Sequence, residues 1–85
     1  AHFNLGVFFD DRGDLEMAGQ MYAGALTCAP RHGRSLQNAG ANALKRGDTV
    51  AAVALFERAY RLNPSSDAHA SNLAVAKRAV VVDNE

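Results

Sequence analysis

Cysteine, proline and net charge are all scarce in this 85-residue chain. The single cysteine, Cys28, cannot close an internal disulfide or anchor a cysteine-rich zinc site. Nine Lys and Arg balance nine Asp and Glu, which excludes both a disordered polyelectrolyte and a generally basic nucleic-acid binder. Apolar runs such as Ala79 to Val82 fall far short of the roughly 20 residues that span a bilayer, so no direct membrane insertion is expected. No basic leader followed by an apolar block stands at the start, and no Gly-rich phosphate loop precedes a helical pattern. What is plentiful is apolar side chain, 48% of the residues, enough for one small core. Proline occurs only as Pro30 and Pro64, and the interval between them is the first positive clue.

Offsetting the chain by that same interval aligns eight identities without a gap: Asn4/Asn38, Gly6/Gly40, Arg12/Arg46, Gly13/Gly47, Asp14/Asp48, Ala18/Ala52, Ala25/Ala59 and Pro30/Pro64. Chance would give roughly two at ordinary residue frequencies. Tyr22 falls opposite Phe56, and a second shift sets Asn72-Leu73-Ala74-Val75 against Asn4-Leu5-Gly6-Val7. The chain therefore reads as repeat one (1–32), repeat two (33–66) and a partial third repeat or capping helix (67–82). A fixed period of this size marks stacked units, none of which buries its apolar face alone.

Within each unit the period is helical. Leu5, Phe8, Phe9 and Arg12 follow i, i+3, i+4, i+7 spacing, an apolar stripe with a polar end. Arg12-Gly13-Asp14 breaks the helix, with Gly13 able to take positive φ and Asp14 able to cap the next helix. Ala18, Met21, Tyr22, Ala25 and Leu26 carry a second stripe that Pro30 ends. Unit two repeats this around Arg46-Gly47-Asp48 and Pro64, and Ser65-Ser66-Asp67 offers caps for a last helix. The spacing predicts five helices near 2–12, 15–28, 35–46, 49–62 and 68–81, with no strand.

These residues give the chain a specific likeness. His2-x₂-Leu5-Gly6-x₂-Phe9, then Ala18-x₃-Tyr22, Ala25 and Pro30, resembles the tetratricopeptide repeat (TPR) pattern. So does Leu36-x₂-Ala39-Gly40-x₂-Ala43, then Ala52-x₃-Phe56, Ala59 and Pro64, and the likeness covers residues 1 to about 76. It implies an all-α fold, a right-handed α-solenoid of helix–turn–helix units. Gly6/Ala18 and Gly40/Ala52 are expected where the two helices of a unit cross, with Tyr22 and Phe56 filling volume further along. His2, Leu36 and Ala70 depart from the pattern's Trp, and Ala43 from an aromatic, so unit two should be the less well filled. Lys77, opposite Phe9, gives the last helix a wetter outer face, as a capping helix needs. Phe3, Phe8 and Phe9 crowd the first helix and are expected to be covered by preceding repeats or by a second copy of the chain.

The resemblance also implies a function: a protein–protein interaction module that binds a peptide or partner protein on the concave groove lined by the first helix of each unit. In the family arrangement Asn4, Asn38 and Asn72 stand on that inner face, where side-chain amides can hold the main chain of an extended peptide. The alternative for these asparagines is local bonding to their own backbone. Phe3, Val7, Ala41 and Val75 would add apolar contact, and Arg34, Gln37, Lys45, Ser71 and Arg78 polar or anionic recognition. A clamp for a terminal carboxylate, known in some family members, is not matched: Phe3, Val7, Ala68 and Asn72 replace four of its residues and only Asn38 agrees. The alternative function is a structural self-association module acting through the Phe-rich first helix.

Charge is uneven along the chain, with a balance of −2 over residues 1–32, +3 over 33–66 and −1 over the rest. Such a gradient can orient a dipolar ligand. RNA binding by helical repeats would need a basic groove, which Asp10 and Asp11 oppose. Catalysis has little support. Cys28 and His32 are separated by Pro30, and two ligands do not close a zinc site. Cys28, aligned with Leu62, is expected as a buried core thiol. His2, His32 and His69 stand in no nucleophile motif. No enzyme activity, cofactor, metal or nucleic-acid partner is therefore expected.

Overall fold

The computed structural model of the chain describes residues 2–83 and the side chains of residues 2–80. Ala1 of the first expected unit lies outside the described residues, as do the side chains of residues 81 and 82 in the third. The described residues are all-helical and contain no strand: α1 (His2–Asp11), α2 (Leu15–Cys28), α3 (Gly33–Lys45), α4 (Thr49–Leu62) and α5 (Asp67–Asp83). Each helix packs on the next in sequence, and α1 also touches α3. Helix ends match the sequence expectation closely. The clearest difference is at α3, which begins early, at Gly33, behind His32, whose Nδ1 lies 2.5 Å from Ser35 Oγ.

The same turn occurs twice, one repeat apart, and its chemistry is local. Gly13 (φ 79°) ends α1 and Gly47 (φ 81°) ends α3, both in the left-handed region that glycine occupies without a Cβ clash. The Asp14 N–H reaches back to the Phe9 carbonyl (2.9 Å) and the Gly13 N–H to Asp10 (3.0 Å). Asp48 and Gly47 do the same to Ala43 (2.8 Å) and Leu44 (3.0 Å). These paired bonds are the Schellman arrangement, which satisfies carbonyls that a helix end leaves open. Each aspartate then caps the next helix: Asp14 Oδ1 accepts from the Met17 N–H (3.3 Å), and Asp48 Oδ1 from Ala51 (3.1 Å). One residue thus closes one helix and opens another. The second kind of turn also recurs. Ala29 (φ −138°, ψ 80°) and Asn63 (φ −146°, ψ 77°) precede the prolines outside the helical region, and their carbonyls accept from the His32 and Ser66 N–H groups, both at 3.1 Å.

Two buried clusters form the core. One joins Ala18, Tyr22, Leu26, Leu36, Ala39 and Ala59; the other joins Ala43, Ala52, Phe56, Leu73 and Ala76. Leu55 packs against both. The crossings differ in detail from expectation. A Cβ on Gly6 would collide with the Tyr22 ring, and one on Gly40 would come within 2.6 Å of the Phe56 ring. Each glycine therefore makes room for the aromatic of its own unit, while Ala18 and Ala52 are fully buried. Leu36, in the place of the pattern's Trp, is fully buried as well.

Two burial expectations are corrected. The stripe Leu5–Phe8–Phe9–Arg12 is not the buried face of α1: Leu5 is 45% and Phe8 46% exposed, and Arg12 is exposed too. Gly6 must face Tyr22, so its neighbours three and four residues away, Phe3, Phe9 and Asp10, turn inward with it, and the adjacent Val7 packs at the margin of the same face. Cys28 is exposed rather than a core thiol. It occupies the last position of α2, beyond the buried turn of Ala25 and Leu26, just as its counterpart Leu62 ends α4 in solvent.

Candidate functional site

The candidate groove residues belong to α1, α3 and α5, and the turns just described fix their order. On α1 and α3 several of them meet. The Arg34 guanidinium lies 5.0 Å over the Phe3 ring, which also meets the His32 ring edge-on at 5.2 Å and the Tyr22 ring at 6.3 Å. Phe3 and Val7 are half-buried against the first core cluster, so they present edges rather than free faces. Lys45 Nζ stands 4.0 Å from Asp10 Oδ1, linking the end of α3 to the end of α1.

The three asparagines do not share one environment. Asn4 is exposed, whereas Asn38 and Asn72 are half-buried. Asn38 stands beside the Tyr22 hydroxyl. Tyr22 OH donates to Asp10 Oδ2 at 2.8 Å. Burial, reinforced by that bond to the Asp10 carboxylate and by its charge, pushes the Tyr22 phenol up to about 12, while the Asn38 amide pulls the other way. Gln37 and Ala41 are half-buried; Arg34, Lys45, Ser71, Val75 and Arg78 are exposed. The α5 candidates are thus exposed apart from Asn72.

The best-formed polar arrangement centres on a residue that the repeat comparison passes over. Asn42 is fully buried on α3. Its Nδ2 donates to the Leu15 carbonyl (2.9 Å) and lies 3.5 Å from Asp10 Oδ1, and its Oδ1 accepts from Arg46 Nε (2.8 Å). Asn42 therefore ties unit two to the turn of unit one, with Asp10 shared between it, Tyr22 and Lys45. Its counterparts one repeat before and after are Phe8 and Ala76, so periodicity hides it. The available signal is a polar residue three after Ala39, on the same face of the helix.

Compared with protein-family models and with curated proteins, the chain matches none. Among the described residues no helix is long and apolar enough to cross a membrane.

Proposed function

We propose that the chain is a right-handed α-solenoid of TPR-type units, two complete and a third represented by α5, and that it is a protein–protein interaction module. In this reading it belongs to a larger scaffold or assembly factor and holds a peptide or partner protein on the concave face of α1, α3 and α5. The observation that carries the reading is the recurrence, one repeat later, of one whole constellation: glycine against aromatic, buried alanine, Schellman turn, aspartate cap and proline turn. Units so alike at their junctions stack with a constant rotation, and constant rotation gives a curved surface. Main-chain recognition falls to Asn4, Asn38 and Asn72, and side-chain recognition to Phe3, Val7, Arg34, Gln37, Lys45 and Arg78. Selection of binders from a displayed random-peptide library, followed by calorimetry, tests it. Asn38→Ala with Asn72→Ala should weaken the selected peptides at least tenfold; unchanged affinity rejects the groove.

A second reading, self-association through α1, is favoured by the exposure of Leu5 and Phe8, the latter in edge contact with Phe9 at 5.2 Å. Sedimentation at micromolar concentration separates the two, since a strict monomer excludes the second.

A further inference from the structure

Another side of α3 carries a second surface. Residues 39, 42 and 46 lie on one face of that helix, centred more than a quarter-turn from the face of residues 34, 37, 41 and 45 at about 100° per residue. There α2, α3 and α4 enclose an open cavity of about 390 Å³, with Leu26, Ala39 and Leu55 as its apolar lining and Arg46 and Arg58 as its charges. Both guanidiniums are held in place. Arg46 donates through Nε to the fully buried Asn42, itself anchored on the Leu15 carbonyl, and Arg58 donates through Nη2 to the Pro30 carbonyl (3.0 Å). A guanidinium has five donors, so each keeps others for a ligand. Arg58 also lines an adjoining cavity of about 280 Å³ with Arg31, Arg61 and Leu62. Four of the nine cationic residues of a chain with no net charge thus border one continuous surface. Glu57, paired with Arg61, and Glu16 are the only acidic residues of the flanking helices α4 and α2.

We infer that this α2–α3–α4 surface is a docking site for an acidic peptide segment of a protein partner, one that seats an apolar side chain in the larger cavity and sets carboxylates against Arg46, Arg58 and Arg31. Charge complementarity selects the partner. Two arginine-bordered cavities meeting at Arg58 suit an extended segment with alternating apolar and acidic side chains better than a compact anion. Three of the five cations of residues 33–66, Arg46, Arg58 and Arg61, lie on this surface, while Arg34 and Lys45 belong to the groove face. The inference does not depend on the groove reading, because it uses other residues on a different face of α3.

The test is an NMR titration of the chain with a blocked peptide alternating glutamate and leucine, a lysine–leucine counterpart, and a single-stranded oligonucleotide. The expected result is a saturable response to the glutamate peptide alone, at the Arg46 and Arg58 Nε–H groups and the amides of Ala23 and Ala39. Arg58→Glu should weaken it at least tenfold, and Arg31→Gln, at an exposed turn where folding is safe, at least threefold. Asn38→Ala with Asn72→Ala should leave it unchanged. No saturable response, equal binding of the lysine peptide, preference for the oligonucleotide, or shifts confined to Phe3 and Lys45 would each overturn the inference.

Discussion

Adding one carbon at Gly40 places it 2.6 Å from the Phe56 ring, so the ring or the α3–α4 crossing must shift. Phe56 is 2% exposed and cannot swing into solvent. Gly40→Ala is therefore expected to destabilise by about 1–3 kcal/mol despite the better helix propensity of alanine. Gly33→Ala is the control: nothing lies within 4 Å of its Cβ, and a gain of a few tenths to about 1 kcal/mol is expected. Chemical denaturation of both variants checks the sign. Tyr22 makes a second prediction at this scale. Its phenol titrates near 12 in the folded chain and near 10 when unfolded, so the folded state holds that proton more tightly. The associated stability is complete below pH 10 and is lost as pH rises through 12, by up to about 2–3 kcal/mol. Tyr22→Phe should flatten that loss in urea melts run at pH 9 and pH 12. Single residues are also the least legible level of the sequence. Asn42 recurs in no other unit, and for Cys28 small size suggests burial while its place at a helix end decides exposure.

At the scale of the helix and its turn, the sequence is most informative, because each ending is chemically local. Gly13-Asp14 and Gly47-Asp48 carry their own instructions: one residue supplies positive φ, the next supplies a carboxylate for an N–H three residues on. Gly47→Ala is expected to cost about 1 kcal/mol or more through the left-handed backbone, and Asp48→Ala about 1 kcal/mol through the lost cap. Asp48→Asn should retain most of that stability, since an amide oxygen caps as well, and thermal melts of the three variants give the order. The facing of α1 is less legible than its ends. Phe3, Leu5, Val7, Phe8 and Phe9 offer apolar residues on every side, so periodicity alone does not choose a face. Gly6 chooses it, because the Tyr22 ring packs where a Cβ at that position would stand.

For the molecule as a whole, the question is how the two buried clusters hold together, and two side chains answer it. Asn42 bridges polar groups of both units, and Leu55 packs against both clusters. A side chain that packs against both clusters contributes to each, so its loss weakens both. Asn42→Ala removes the bonds to the Leu15 carbonyl and the Arg46 Nε–H and leaves a void at a fully buried site, at a cost of about 1–3 kcal/mol. Leu55→Ala removes packing from two clusters at once and is expected to cost about 2 kcal/mol or more, although Leu55 is only half-buried. Val50, on the same helix and 72% exposed, is the contrast; Val50→Ala should stay within about 0.5 kcal/mol. Native-state hydrogen exchange distinguishes a junction from an ordinary core position. If Leu55 couples the clusters, Leu55→Ala will lower the protection of the slowest amides of α2 and of α5 by the same factor. A loss confined to α4 and α5 would place the coupling elsewhere, on Asn42 and the polar links that α3 makes to the turn of the first unit.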